Sequence, residues 1–331
     1  MRRAIRRIGV LLLFPASMLP AVLEGQSVPP AAQNPSPMVE HTRAHERLSA
    51  SLERDIGGVR RTFTGPLGKP VEVWIPEGIG QRDEVSLVMH FLGAAWLPEY
   101  AVSRLKTKTV AAVVNIGAGS GIYDRSFSDP AAFDSLLANV TRETSAVLGR
   151  VVTFRRVTLS GFSAGHGAIR AILRDSQHFA RVDAVLLLDG MHTSYVPDGV
   201  VVEKGGTLDP KNLEAFVRFA QAAMRGEKRF LVTHSEIFPG TFASTTETAD
   251  YLLNALGLHR TAVLQWGPRG MQQLSEAHAG HFELLGFAGN SAPDHIDQFQ
   301  GMPEFLERLL QPSSSSGIVM RPLLNPSSRR P

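Results

Sequence analysis

The chain has 331 residues, 43% apolar and 20% charged, the composition of a globular protein with a sizeable core. Its formal net charge is only +3, and most of the arginine excess sits at the two ends, so a pI near 9.4 marks no nucleic-acid-binding face. With no cysteine, disulfides, thiolate metal sites, a Cys nucleophile and a lipidated-cysteine anchor are all excluded.

The N-terminus carries Arg2, Arg3, Arg6 and Arg7, followed by an apolar stretch over 8–23 that contains Pro15 and Pro20. That is the layout of a secretory signal, and it is short and proline-interrupted for a membrane-spanning helix. A signal peptide is expected over 1–25, with an uncleaved anchor as the alternative. The expected location is therefore periplasmic or extracellular, with no stable membrane association after cleavage. Residues 26–59 read as a linker and an N-terminal helix: 26–37 is rich in Pro, Ala, Gln and Ser, and 41–56 is polar and suits one helix. The domain proper is expected over 60–310. The Ser run, prolines and terminal arginines of 311–331 predict a disordered tail.

Within the domain, β-type and helix-type segments alternate. Strands are predicted over 71–75, 85–92, 110–116, 157–159, 182–188, 230–233, 262–266 and 282–287. One helix opens at Asp129-Pro130, repeats Phe133, Leu136, Leu137, Val140, Val147 and Leu148 at helical spacing, and stops at Gly149. Others run from Asp209-Pro210 to Gly226, from the capping box Ser244-Thr-Thr-Glu247 to Gly257, and over 303–310. Residues 195–210 suit a small cap. Repeated β-then-α units predict a parallel sheet covered by helices, with a TIM barrel as the second arrangement. In an open sheet, ligands bind beyond the carboxyl ends of the strands.

Gly161-Phe162-Ser163-Ala164-Gly165 lies between an apolar β-type run and a helix-type run. A Gly-x-Ser-x-Gly elbow needs that setting: the sharp turn lifts the serine above the sheet edge, and the helix N-terminus brings a positive dipole end beside it. It also argues against a barrel, whose sites need no strained nucleophile turn. Ser163 is the candidate nucleophile. A serine hydroxyl needs a base, a group that orients the base, and donors aimed at the developing oxyanion. The base is sought late in the chain, where His295, His281 and His278 compete. His295 is favoured, in a loop before the last helix, because His281 begins a strand and so lies at its wrong end. Two acids compete, Asp189 at the end of the 182–188 run and Glu236 after the next strand. The Ala164 N–H is one oxyanion donor, and Gly93 or Ala94 is expected to supply the second. His90 reads as a packed strand histidine, and His166 as too local to the helix to act as the base. His192 and His234 also lie near the strand ends, but no metal-ligand spacing accompanies them, and no metal is expected.

Together, the elbow, the His90-Phe91-Leu92-Gly93 segment, the two acids and His295 resemble the α/β-hydrolase superfamily over about residues 60–310. The resemblance implies an eight-stranded, mostly parallel sheet with helices on both faces, and ester- or amide-cleaving chemistry without a cofactor. It leaves Asp189 and Glu236 both open as the acid. The expected partner is a small-molecule or polymer-derived acyl substrate, with no nucleic acid. A secreted carboxylesterase is the first expectation. An amidase, peptidase or acyltransferase on the same residues is an alternative, as is a non-catalytic binding protein of this fold.

Overall fold

The structure, a computed structural model, describes residues 46–311. The expected signal peptide over 1–25, the linker over 26–37 and the tail beyond Gln311 lie outside the described residues. Of the helix expected over 41–56, the described part contains a 3₁₀ turn, Ala50–Arg54, with Ser49 as its cap and no buried residue.

Six parallel strands lie side by side in the order β4 (Thr109–Val114), β3 (Val85–Phe91), β5 (Phe154–Phe162), β6 (Ala184–Leu188), β9 (Arg229–His234) and β12 (Phe282–Phe287). At one edge β2 (Pro70–Ile75) runs antiparallel to β4, and β1 (Val59–Thr64) antiparallel to β2. At the other edge β11 (Gln272–Ala279) and β10 (Thr261–Trp266) fold back antiparallel. The sheet therefore has ten strands, not the eight expected, and it is open rather than closed into a barrel. The two strands absent from the sequence reading are β1 and β11. Neither is a clean alternation of buried and exposed residues, because both lie toward the sheet's wet margins. A separate hairpin of β7 (Tyr195–Val196) and β8 (Thr207–Leu208) occupies the segment read as a cap.

Alternation along the strands feeds two cores. Leu87, Met89 and Phe91 of β3 face one side; Val88 faces the other. The first side is covered by α3 (Pro130–Leu148), α4 (His166–Arg174), α6 (Glu214–Met224) and α7 (Thr245–Leu256), through Phe133, Ile169, Phe216, Phe219 and Leu252. The second is covered by α1 (Trp96–Ser103), α8 (Ala292–Gln300) and α9 (Met302–Leu310), through Leu97, Phe299 and Phe305. The described residues also contain two shorter helices, α2 (Ser120–Ser126) and α5 (Ser176–Arg181). Among the described residues, no helix is long and apolar enough to cross a membrane.

The helix signals read from the sequence hold locally. Asp129 accepts from the Ala131 N–H, and Gly149 ends α3 in the left-handed conformation. Ser244 and Glu247 form a reciprocal capping box on α7. The Asp209-Pro210 start gives a 3₁₀ turn, Pro210–Asn212, and α6 follows at Glu214. The chain order reverses around β3, which lies between β4 and β5. A ligand crevice is expected at such a switch, outside the carboxyl ends of the strands.

Candidate active site

Three non-glycine residues at the carboxyl ends of adjacent strands have positive φ: Leu92 after β3 (69°), Ser163 after β5 (49°) and Asp189 after β6 (44°). This conformation costs L-residues energy and persists only where the surroundings impose it. The surroundings here are tight. A Cβ on Gly165 would lie 2.1 Å from the Phe91 oxygen, and one on Gly190 would lie 2.6 Å from the Ser163 oxygen. Backbones of three neighbouring strand ends thus meet around Ser163, and only glycine fits at those two contacts. The chain leaves Ser163 through a 3₁₀ turn, Ser163–Gly165, directly into α4.

Asp189 is 2% exposed and fully hydrogen-bonded. Its Oδ2 accepts from His295 Nδ1 at 2.7 Å and from Ser235 Oγ at 2.7 Å. Its Oδ1 accepts from the Ser235 N–H at 2.8 Å and from Thr245 Oγ1 at 2.7 Å. Burial pushes the carboxyl pKa up, but the bonds from His295, Ser235 and Thr245 and the His295 charge outweigh it and hold it well below the usual carboxylate range. Because a carboxylate only accepts, Nδ1 of His295 carries the hydrogen. Its Nε2 is then the acceptor when the ring is neutral.

His295 lies in the first turns of α8 rather than in a loop ahead of the last helix. Ser291 and Asp294 cap that helix reciprocally, and Pro293 enters its first turn, so the segment read as a loop is a capped helix start. The His295 ring packs on Phe162, the residue before Ser163, at 4.5 Å between centroids. Phe162 stacks on Phe299, and Phe299 on His90.

The other candidates fall elsewhere. Glu236 is exposed; its backbone N–H bonds the Gly289 oxygen, while its neighbour Ser235 is the residue that reaches Asp189. His281 lies at the entry of β12, where its N–H bonds the Ala223 oxygen, and His278 is exposed on β11. The Gly93 N–H is taken by Asn115 Oδ1 at 2.9 Å, and Asn115 Nδ2 returns a bond to the Gly93 oxygen. Gly93 therefore fixes the loop and does not offer a free donor, which leaves Ala94 and Ala164 as the donor pair to consider. Only the fold reveals the Asn115 clamp, because it links adjacent strand ends.

Of three histidines near the site, His90 and His166 are buried and His192 is half-buried. His90 donates from Nε2 to the Leu92 oxygen at 2.9 Å and accepts from Ser160 Oγ; burial lowers its pKa to about 4. His166 donates from Nδ1 to the Ser163 oxygen at 2.9 Å; burial, then the charges of His192 and Arg170, lower it to about 3. His192 is lowered by burial, and donates to the Ala243 oxygen.

Ser163 opens onto a cavity of about 430 Å³. One wall is Ala118 and Gly119 with the start of α2, Ser120 and Gly121, and another is the face of α4 that carries His166 and Arg170. His192, Thr193 and Ser194 after β6, with Asn212 and Phe242, close the remaining sides.

The strand order, the elbow after β5 and a histidine after the last parallel strand form one pattern. The fold is the α/β-hydrolase fold. No protein-family model matches the chain, and no curated protein matches it by sequence. Among solved structures, the chain is similar to a thermostable esterase at 14% identity and a TM-score of 0.42, over 77% of this chain and 61% of that one. It is similar to the propionate-bound esterase Est2 of Thermogutta terrifontis at 15% identity and a TM-score of 0.44, over 77% of this chain and 93% of that one. It is also similar to the acylaminoacyl peptidase of Pyrococcus horikoshii at 11% identity and a TM-score of 0.44, over 77% of this chain and 42% of that one. The chain thus spans about three fifths of the first of these proteins and less than half of the peptidase. At such scores the likenesses decide nothing about the site, and its chemistry rests on this chain's own geometry.

Ser235, Thr245, Phe162 and Phe299 were not singled out in the sequence. Ser235 and Thr245 lie 46 and 56 positions from Asp189, and no local motif links them to it.

Proposed function

We propose that the protein is a serine hydrolase that cleaves a carboxylic ester through an acyl-enzyme. Ser163 Oγ attacks the ester carbonyl while His295 Nε2 takes its proton, so a C–O bond forms to Ser163. The tetrahedral intermediate collapses, the alkoxy C–O bond breaks, and the histidine returns the proton to the leaving alcohol. Water then repeats the sequence on acyl-Ser163 and releases the acid. Asp189 holds the imidazole in the Nδ1–H tautomer and stabilises the imidazolium. The N–H groups of Ala164 and Ala94 are the proposed oxyanion donors, each worth about 3 kcal/mol if aligned.

The observation that carries this reading is the 2.7 Å bond from His295 to the buried Asp189, one strand from a Ser163 elbow of positive φ. It supports Asp189, rather than Glu236, as the acid. The arginine-rich, apolar start of the chain supports export to the periplasm or beyond.

The test is covalent. A fluorophosphonate probe should label Ser163, and Ser163→Ala should lose the label together with about 10³-fold or more of kcat/KM on p-nitrophenyl acetate. Full activity in Ser163→Ala would sink the proposal.

A further inference from the structure

The cavity beside Ser163 is lined mainly by small and polar residues. Its side chains are polar apart from Phe242 and small alanines, and no carboxylate is among them. The cavity does present a cation. Arg170 follows Ser163 by seven residues, on the same face of α4 as His166. A 3₁₀ turn and the first turn of α4 separate the two, about 10–12 Å along the helical path.

Arg170 is 7% exposed and lines the cavity. Its Nε donates to Asp124 Oδ2 at 2.7 Å, and among the described residues no further hydrogen bond holds its two terminal nitrogens. Arg174 takes the other oxygen of Asp124 at 3.0 Å. Two guanidinium groups therefore share one carboxylate, which leaves the group one positive charge in excess. His166 and His192 are neutral and do not offset it. A buried guanidinium with a free fork is matched by a planar oxyanion, which it can bind through two parallel N–H···O bonds.

We infer that the cavity takes an ester bearing a carboxylate on one arm, with Arg170 as its binding partner. This deepens the hydrolase proposal and rests on it for the ester; the anion site itself can be tested without turnover.

The kinetic test compares kcat/KM within two pairs of esters. In one pair the carboxylate is on the acyl arm, mono-p-nitrophenyl glutarate against p-nitrophenyl pentanoate. In the other it is on the alcohol arm, 4-acetoxybenzoate against phenyl acetate. The anionic ester should be preferred at least tenfold in one pair, and which pair identifies the arm. Arg170→Gln should bring that ratio close to one, mainly through KM, and Arg170→Lys should keep part of it. Asp124→Asn should raise the ratio, because it removes the shared counter-charge; this opposite sign serves if Arg170→Gln does not fold. Binding of monomethyl glutarate and 4-acetoxybenzoate to Ser163→Ala, measured by calorimetry, removes any dependence on catalysis. Arg170-dependent binding without fluorophosphonate labelling of Ser163 would overturn the hydrolase reading and keep the anion site. Equal use of charged and neutral esters in both pairs, or a preference that Arg170→Gln leaves intact, would overturn the inference.

Discussion

Asp189 and Glu236 are the two residues between which the sequence does not choose. Both follow parallel strands at the correct sheet edge, and both carry a carboxylate. What separates them is partner geometry: four donors converge on Asp189, and Glu236 points to solvent. Asp189→Asn leaves the shape and removes the acceptor that selects the imidazole tautomer, so kcat should fall by about 10²–10⁴. Glu236→Gln should stay within about twofold. Steady-state kinetics on one activated ester decides it, and the reverse ranking would remove Asp189 from the proposed mechanism. Ser163 was legible earlier because an elbow is local: its signal lies in five consecutive residues. His295 was legible by its place in the chain, but its helical setting was not, because Ser, Pro and Asp at 291–294 suit a loop as well as a helix start.

At the level of the element, the elbow depends on backbones packed against each other. A Cβ on Gly165 meets the Phe91 oxygen at 2.1 Å, and a backbone oxygen in the central strand cannot swing aside. Gly165→Ala should therefore cost at least the 1–3 kcal/mol typical of overpacking, and activity should fall with it. Gly149→Ala is the control. That glycine ends α3 at φ +63° with nothing within 4 Å, so only the left-handed conformation is penalised, at about 1 kcal/mol. Urea denaturation of the two variants measures the difference, and equal costs would mean that the close approach is relaxed in solution. Helices read well from the sequence for the same reason as the elbow: the caps Asp129, Gly149, Ser244 and Gly257 act within one turn. The strands β1 and β11 did not, since marginal strands keep only part of the apolar alternation.

For the whole molecule, buried histidines set the response to acid. His90, His166 and His234 have folded pKa values near 4, 3 and 4, all lowered chiefly by burial from an ordinary value of 6.5. The unfolded chain binds those protons below pH 6.5 and the folded chain does not, so their contribution is present above that pH and is lost as pH falls toward 4. Glu99 opposes them: burial raises it to about 7 against the Arg60 charge, so the folded state holds its proton where the unfolded chain has lost it. Three protons against one leave a net of about two near pH 5.5, or about 2–3 kcal/mol per pH unit. Denaturation midpoints should therefore fall steeply between pH 6.5 and 4.5, and His90→Gln should flatten the slope. A flat or rising stability over that window would refute the assignment of these groups as neutral.

The sequence by itself determined what short-range physics controls: which segments alternate, where helices start and stop, and where a serine is forced into a strained turn between strand and helix. Those features need only neighbouring residues. The tertiary structure decided what depends on strands brought side by side. It bonded His295 to Asp189, assigned the Gly93 N–H to Asn115, added two strands to the sheet, and put Arg170 into the wall of the Ser163 cavity. The partners of Asp189 lie 46 to 106 positions away along the chain, and no periodicity or motif carries a hydrogen bond across that separation.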